Sequence, residues 1–153
     1  ELWHVPHDGA AAEALSAYFS SLTGREAGDP TSVDINQRVV SLLADAPGVA
    51  WATFCSLCEE PRSAADYVEM AREYHTVLIE QIPLLDRDKE DGARRFINLV
   101  DEFYDRNVKL IATAARAPEA LYDGSRLRFE FDRTVSRLQE MRTEEYLKAE
   151  HRP

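Results

Sequence analysis

Apolar positions along the chain change their spacing several times, and each change marks an element. Over residues 10–22, Ala11, Ala14, Leu15, Tyr18, Phe19 and Leu22 fall three and four apart, the stripe of an amphipathic helix that Gly24 ends. Residues 24–34 gather Gly, Asp, Pro, Thr and Ser, which predicts a flexible loop. Residues 38–43 and 48–54 are rich in Val, Leu and aromatics around Asp45-Ala-Pro-Gly48, the pattern of a strand pair, about 38–54, joined by a turn. Ser63-Ala-Ala-Asp66 has the spacing of a capping box and opens a helix reaching Tyr74. Residues 75–82 then read as a strand. Residues 88–107 read as a helix with Ala93, Phe96, Ile97, Val100, Phe103 and Tyr104 at helical spacing, and residues 108–115 as a buried strand. Residues 127–131 read as extended, and residues 132–150 as a helix broken near Arg142 and Thr143.

Strand, helix and strand over residues 75–115 make a βαβ unit, most simply parallel with a right-handed crossover, so the expected class is α/β with flanking helices. At 153 residues and 44% apolar, residues 1–153 are expected to form one soluble domain with a core large enough to need no disulfide. No repeat of fixed period is present.

Charge narrows the partners. With 28 acidic and 18 basic side chains the net charge is -10, which argues against broad binding along a nucleic-acid backbone. The longest charge-poor stretch, residues 39–57, is interrupted by Asp45 and by the Pro47-Gly48 turn, so it does not read as a membrane span. Glu1-Leu-Trp-His4 lacks the basic start and apolar run of a signal peptide, which points to the cytoplasm, and the missing initiator Met suggests a longer protein.

Several residues carry potential chemistry. Cys55-Ser-Leu-Cys58 has the spacing of a redox pair or half a zinc site, but no second pair completes a metal shell, so packed thiols are expected and no metal. His4-Val-Pro-His7 reads as a solvated terminal segment. Val77-Leu-Ile-Glu80 resembles a strand whose terminal acid positions magnesium, yet none of the six glycines is followed by lysine, so no phosphate-cradling loop exists in these residues. Arg94 and Arg95 are phosphate candidates, but Glu90 and Asp91 stand four residues before them and would pair them on a solvated helix face. Arg133 and Arg137 share a helix face at the same spacing. Like charges there ask for an anion or a carboxylate, and Glu140 satisfies at most one of them.

Blocks of the sequence resemble a known family. Residues 54–67, 74–79, 93–105, 108–114 and 118–122, and above all Phe129-Glu-Phe-Asp-Arg-Thr-Val-Ser-Arg-Leu-Gln-Glu-Met141, are similar, in order, to the ZapE/AFG-type P-loop, AAA-like ATPases. The similarity lies in that family's C-terminal part, whose Walker A and Walker B elements stand upstream. It implies an intact protein that uses ATP and Mg, a chain that is inactive and cofactor-free alone, and no catalytic residue within these residues. Implied partners are the upstream ATP-binding half, further copies of the same protein, and the division-ring protein FtsZ, with peripheral membrane association allowed and the division site as the location. By position, Arg133, Arg137 and Glu140, with Arg94 and Arg95, become candidates for nucleotide sensing or subunit contact, whereas Asp101, Tyr104 and Tyr122 would hold the fold. The competing expectation is a nucleotide-independent module that docks a division or membrane protein through the apolar residues 39–54. Burial against upstream strands further predicts exposed apolar surface and self-association of the chain.

Overall fold

The computed structural model describes residues 2–26 and 29–153. In chain order the elements are β1 (Trp3–His4), α1 (Gly9–Thr23), β2 (Thr31–Ile35), β3 (Arg38–Leu42), β4 (Ala44–Ala46), β5 (Val49–Thr53), α2 (Ala64–Glu73), β6 (Thr76–Ile82), β7 (Leu85–Asp86) and α3 (Glu90–Asp105). Then follow β8 (Lys109–Ala114), α4 (Pro118–Leu121), β9 (Tyr122–Asp123), α5 (Arg128–Glu140) and α6 (Glu144–Lys148).

A five-stranded sheet in the order β1-β8-β6-β5-β4 organises the fold. The first four strands are parallel, and β4 closes one edge antiparallel to β5. The expected βαβ unit is therefore present as β6-α3-β8, and β5-α2-β6 repeats it. Strands so placed are covered on both faces, which is why Val77, Leu78 and Ile79 follow one another without a polar residue between them. Alternation sends Val49, Trp51, Leu78 and Ile111 to the face covered by Leu15 and Phe19 of α1. Ala50, Ala52, Val77, Ile79 and Ala112 turn to the opposite face, where Tyr67 and Met70 of α2, Phe96 and Val100 of α3 and Phe131 of α5 complete the larger core.

Local chemistry sets the helix ends. Asp8 Oδ1 accepts from Ala11 N at 3.0 Å to start α1, and Gly24, at φ 70°, ends it by donating to Ser20 O at 2.8 Å. The predicted capping box forms at α2, where Ser63 N donates to Asp66 Oδ2 at 2.9 Å. The predicted break falls between α5 and α6.

Four expectations change. The strand pair expected over 38–54 is narrower than expected: Arg38–Leu42 (β3) pairs with β2 through an Asn36-Gln37 turn, while Leu43 N donates to Trp51 O at 2.7 Å and the Pro47-Gly48 turn closes β4 on β5. Of the loop expected over 24–34, Thr31–Ile35 forms β2, and residues 27 and 28 lie outside the described residues. His4 does not belong to a solvated segment, because Trp3–His4 is an edge strand parallel to β8 and Trp3 is 6% exposed. Residues 127–131 are not extended: Arg128 begins α5, since Leu127, Phe131, Thr134 and Leu138 are the buried positions and they repeat at helical spacing.

Candidate functional site

Helices α3 and α5 pack side by side through Phe96, whose ring lies 6.4 Å from that of Phe131, and this contact places their polar rims together. The rim carries the arginine candidates. Arg137 Nη1 donates to Asp101 Oδ1 in a close contact, and Arg133 Nη2 lies 3.6 Å from Asp101 Oδ2. One carboxylate from α3 thus answers both guanidiniums of α5, which relieves their mutual repulsion at one helical turn's spacing. Arg137 is further seated over the Tyr104 ring, 5.0 Å from its centroid. Its side chain is 27% exposed and that of Arg133 54%, so Arg133 is the one that presents free N–H groups to solvent.

Glu140 takes a different partner from the arginine expected. Its Oε2 accepts from Tyr104 Oη at 2.7 Å, and this bond, followed by burial, pushes the phenol pKa up. Asp101 and Tyr104 of α3 thus bridge to α5, Asp101 through Arg133 and Arg137 and Tyr104 through Glu140 and the Arg137 guanidinium.

Arg94 and Arg95 are spent elsewhere. Arg94 lies 3.7 Å from Glu130 of α5, and Arg95 Nη1 donates to the Cys58 carbonyl at 3.1 Å, clamping the single π-helical turn at Cys55–Glu59. Neither forms the pair expected with Glu90 or Asp91. Glu90 instead accepts from Tyr122 Oη at 2.5 Å, from Arg126 N at 2.9 Å and from Ser125 N at 3.3 Å, and the Tyr122 bond leads the causes that lower its pKa. No local pattern signals that clasp, because its partners lie 32 to 36 residues away.

The cysteines are free and unlike: Cys55 is exposed, and Cys58 is buried with its thiol pushed up to about 12 by burial. A thiol that stays protonated to that pH supplies no nucleophile. Among the described residues no group of three or more His, Cys, Asp or Glu side chains is arranged to hold a metal ion. The apolar residues 39–54 are mostly core, with Val40, Leu42, Val49, Trp51 and Phe54 buried, and only Val39, 69% exposed, offers a large apolar surface there. No helix among the described residues is long and apolar enough to cross a membrane.

Glu80 sits half-buried in central strand β6 beside Thr53 of β5. Burial raises its pKa above the usual 4.5. A carboxyl whose folded pKa is raised binds its proton longer in the native state, so stability falls as pH rises from the unfolded value through the folded one. Glu80→Gln is therefore expected to raise the urea midpoint at pH 7 and to leave it nearly unchanged at about pH 3.5, where both states are protonated. A lower midpoint for the variant at pH 7 would contradict this.

Residues 1–150 match the AFG1-like ATPase family. Over 151 residues the chain is 42% identical to the cell division protein ZapE of Escherichia coli (strain K12), covering 98% of this chain and 40% of that protein. It is 31% identical over 179 residues to lactation elevated protein 1 homolog B of Danio rerio, covering 95% of this chain and 36% of that protein. An uncharacterized protein of Schizosaccharomyces pombe shares 37% identity over 90 residues. The chain thus spans about two fifths of the length of the first of these relatives. No solved structure matches it.

Proposed function

The chain belongs to the AFG1-like ATPase family, and on that footing we propose that it is the C-terminal region of a ZapE-like cell-division ATPase, supplying nucleotide-sensing or subunit-contact arginines to ATP hydrolysis in the intact protein and inactive alone. The observation that carries this is the pair Arg133 and Arg137 held by the single carboxylate of Asp101, with Arg133 still half exposed. A guanidinium fixed by one partner and open on its other edge is suited to meet a phosphate or carboxylate brought by another part of the protein. Because α5 is bound into the core through Phe131 and Thr134, a change of charge at Arg133 would be passed to the whole helix.

Mg-ATP itself does not fit the residues present, since no glycine-rich loop ending in lysine occurs among them. We place that loop and its metal in the part of the intact protein outside these residues. We also place the intact protein, as an oligomer, in the cytoplasm at the division site, with FtsZ as partner and peripheral membrane contact. The support is that the Escherichia coli relative is a cell division protein.

The test uses a full-length protein that contains this region. Arg133→Ala is expected to lower kcat for ATP by at least about tenfold, below what a positioned arginine finger contributes, with no change in melting temperature. Arg133→Lys should restore little, because a point charge does not reproduce the planar fork. An unchanged kcat in Arg133→Ala would overturn the proposal.

A further inference from the structure

Phe129 is 83% exposed, more than any other large apolar side chain among the described residues. It stands in the first turn of α5, with Arg126 and Arg128 before it and Arg133 one turn beyond, all exposed. Arg128 is rigidly seated: its guanidinium lies 4.9 Å from the Tyr122 ring centroid and donates to Tyr122 O at 2.8 Å. The result is an aromatic knob flanked by three arginines, with Asp132, itself exposed, 4.0 Å from Arg128 beside them.

Next to the knob lies a cleft whose charge complements the arginines around it. Asp86, Arg87, Asp88, Asp123 and Gly124 line an open cleft of about 510 Å³, with three carboxylates to one guanidinium. Its two walls come from β7 and β9, where Asp86 and Asp123 are direct neighbours in register. The Glu90 clasp ties cleft to knob, because it binds Tyr122, Ser125 and Arg126, and Leu127 N donates to Tyr122 Oη at 2.8 Å. A Cβ at Gly124 would crowd that clasp, since it would meet both Glu90 Oε1 and the Tyr122 hydroxyl. Knob and cleft are thus joined by one hydrogen-bonded segment.

We propose that this segment is a self-complementary contact for a second copy of the chain. Phe129 of one protomer enters the acidic cleft of its partner, Arg126 and Arg128 face the carboxylates of Asp86, Asp88 and Asp123, and a two-fold axis between knob and cleft repeats the contact. At a net charge of -10, two copies repel over most approaches. A basic, aromatic knob beside an acidic cleft is the place where that repulsion reverses. An exposed aromatic flanked by arginines also has the composition of an interface hot spot. The contact deepens the oligomeric part of the proposed function and is read without nucleotide, so that its failure leaves the arginine proposal standing.

Sedimentation equilibrium of the 153-residue chain without nucleotide tests it. A monomer–dimer equilibrium is expected, with Phe129→Asp weakening dimerisation at least about tenfold, the loss typical of a hot-spot residue. Arg126→Glu and Asp123→Lys should each weaken self-association, and a mixture of the two variants should recover dimer through the swapped charge pair. Val39→Asp, on the exposed face of β3, should dimerise like the parent. Far-ultraviolet circular dichroism checks that the variants are folded, as substitutions at exposed positions should leave them. A monomer at all concentrations up to hundreds of micromolar, or a dimer indifferent to Phe129→Asp, would overturn the proposal and assign the knob to a different occupant.

Discussion

Phe131→Ala is expected to cost about 4 kcal/mol, because truncating a fully buried phenylalanine loses both its transfer free energy and the cavity it leaves. Phe131 is 1% exposed and stands between two aromatic partners, with ring centroids 5.3 Å from Tyr122 and 6.4 Å from Phe96. Those stacked pairs contribute beyond area alone. Against a typical net stability of about 5–15 kcal/mol the loss is large, and for a chain of this size it corresponds to a melting temperature lower by about 10 °C. Phe129→Ala, two residues away and facing solvent, should move stability by less than about 0.5 kcal/mol. Urea unfolding of the two variants checks the contrast. A loss below about 1 kcal/mol for Phe131→Ala would mean that α5 is not held as described.

Asn107→Ala is expected to cost about 3 kcal/mol. Asn107 adopts φ 56° just after α3, is 8% exposed, and donates through Nδ2 to both Tyr146 O and Ala149 O at 3.0 Å. Those bonds tie the C-terminal residues to the amino end of β8, together with Lys109 Nζ, which donates to Ala149 O at 2.7 Å. Asn107→Gly keeps the left-handed backbone accessible but deletes both bonds, a loss of about 2 kcal/mol. Asn107→Ala deletes the bonds and adds the left-handed cost of about 1 kcal/mol, for about 3 kcal/mol in all. Hydrogen exchange should show Tyr146 and Ala149 losing protection in both variants. Equal stability of the Gly and Ala variants would show that the backbone conformation contributes nothing.

Elements with a strong single period were legible from the residues. Strand β6 and helix α3 fall where the apolar spacing put them, because burial of a whole strand or of one helix stripe leaves an unambiguous pattern. Two places misled for identifiable reasons. Leu127, Phe129 and Phe131 alternate with charged residues, which is strand spacing, yet the core takes Leu127 and Phe131 and leaves Phe129 in water. Strand β2 was hidden because Thr31, Ser32 and Asp34 are exposed and Ile35 is its only fully buried side chain. Its pairing with β3 could not be read from so weak an alternation.

The candidate site divides along the same line. That Arg133 and Arg137 ask for an anion or a carboxylate followed from their spacing alone, because repulsion between like charges one turn apart is a local quantity. Which carboxylate answers them did not, since Asp101 is 36 residues from Arg137 and Glu140, only three away, turns to Tyr104. Glu90 likewise stands four residues from Arg94 and binds the segment around Tyr122 instead.

By itself, then, the sequence determined the α/β class, the main helices and strands of the βαβ unit, and the family, all of which rest on periodicity or on contiguous blocks. Only the tertiary structure decided strand pairing at the β2–β3 hairpin, the partners of the charged side chains, and the joining of the Phe129 knob to the acidic cleft. Secondary structure is written in neighbours along the chain, whereas a hydrogen bond or ion pair is decided within about 4 Å between residues that only packing brings together.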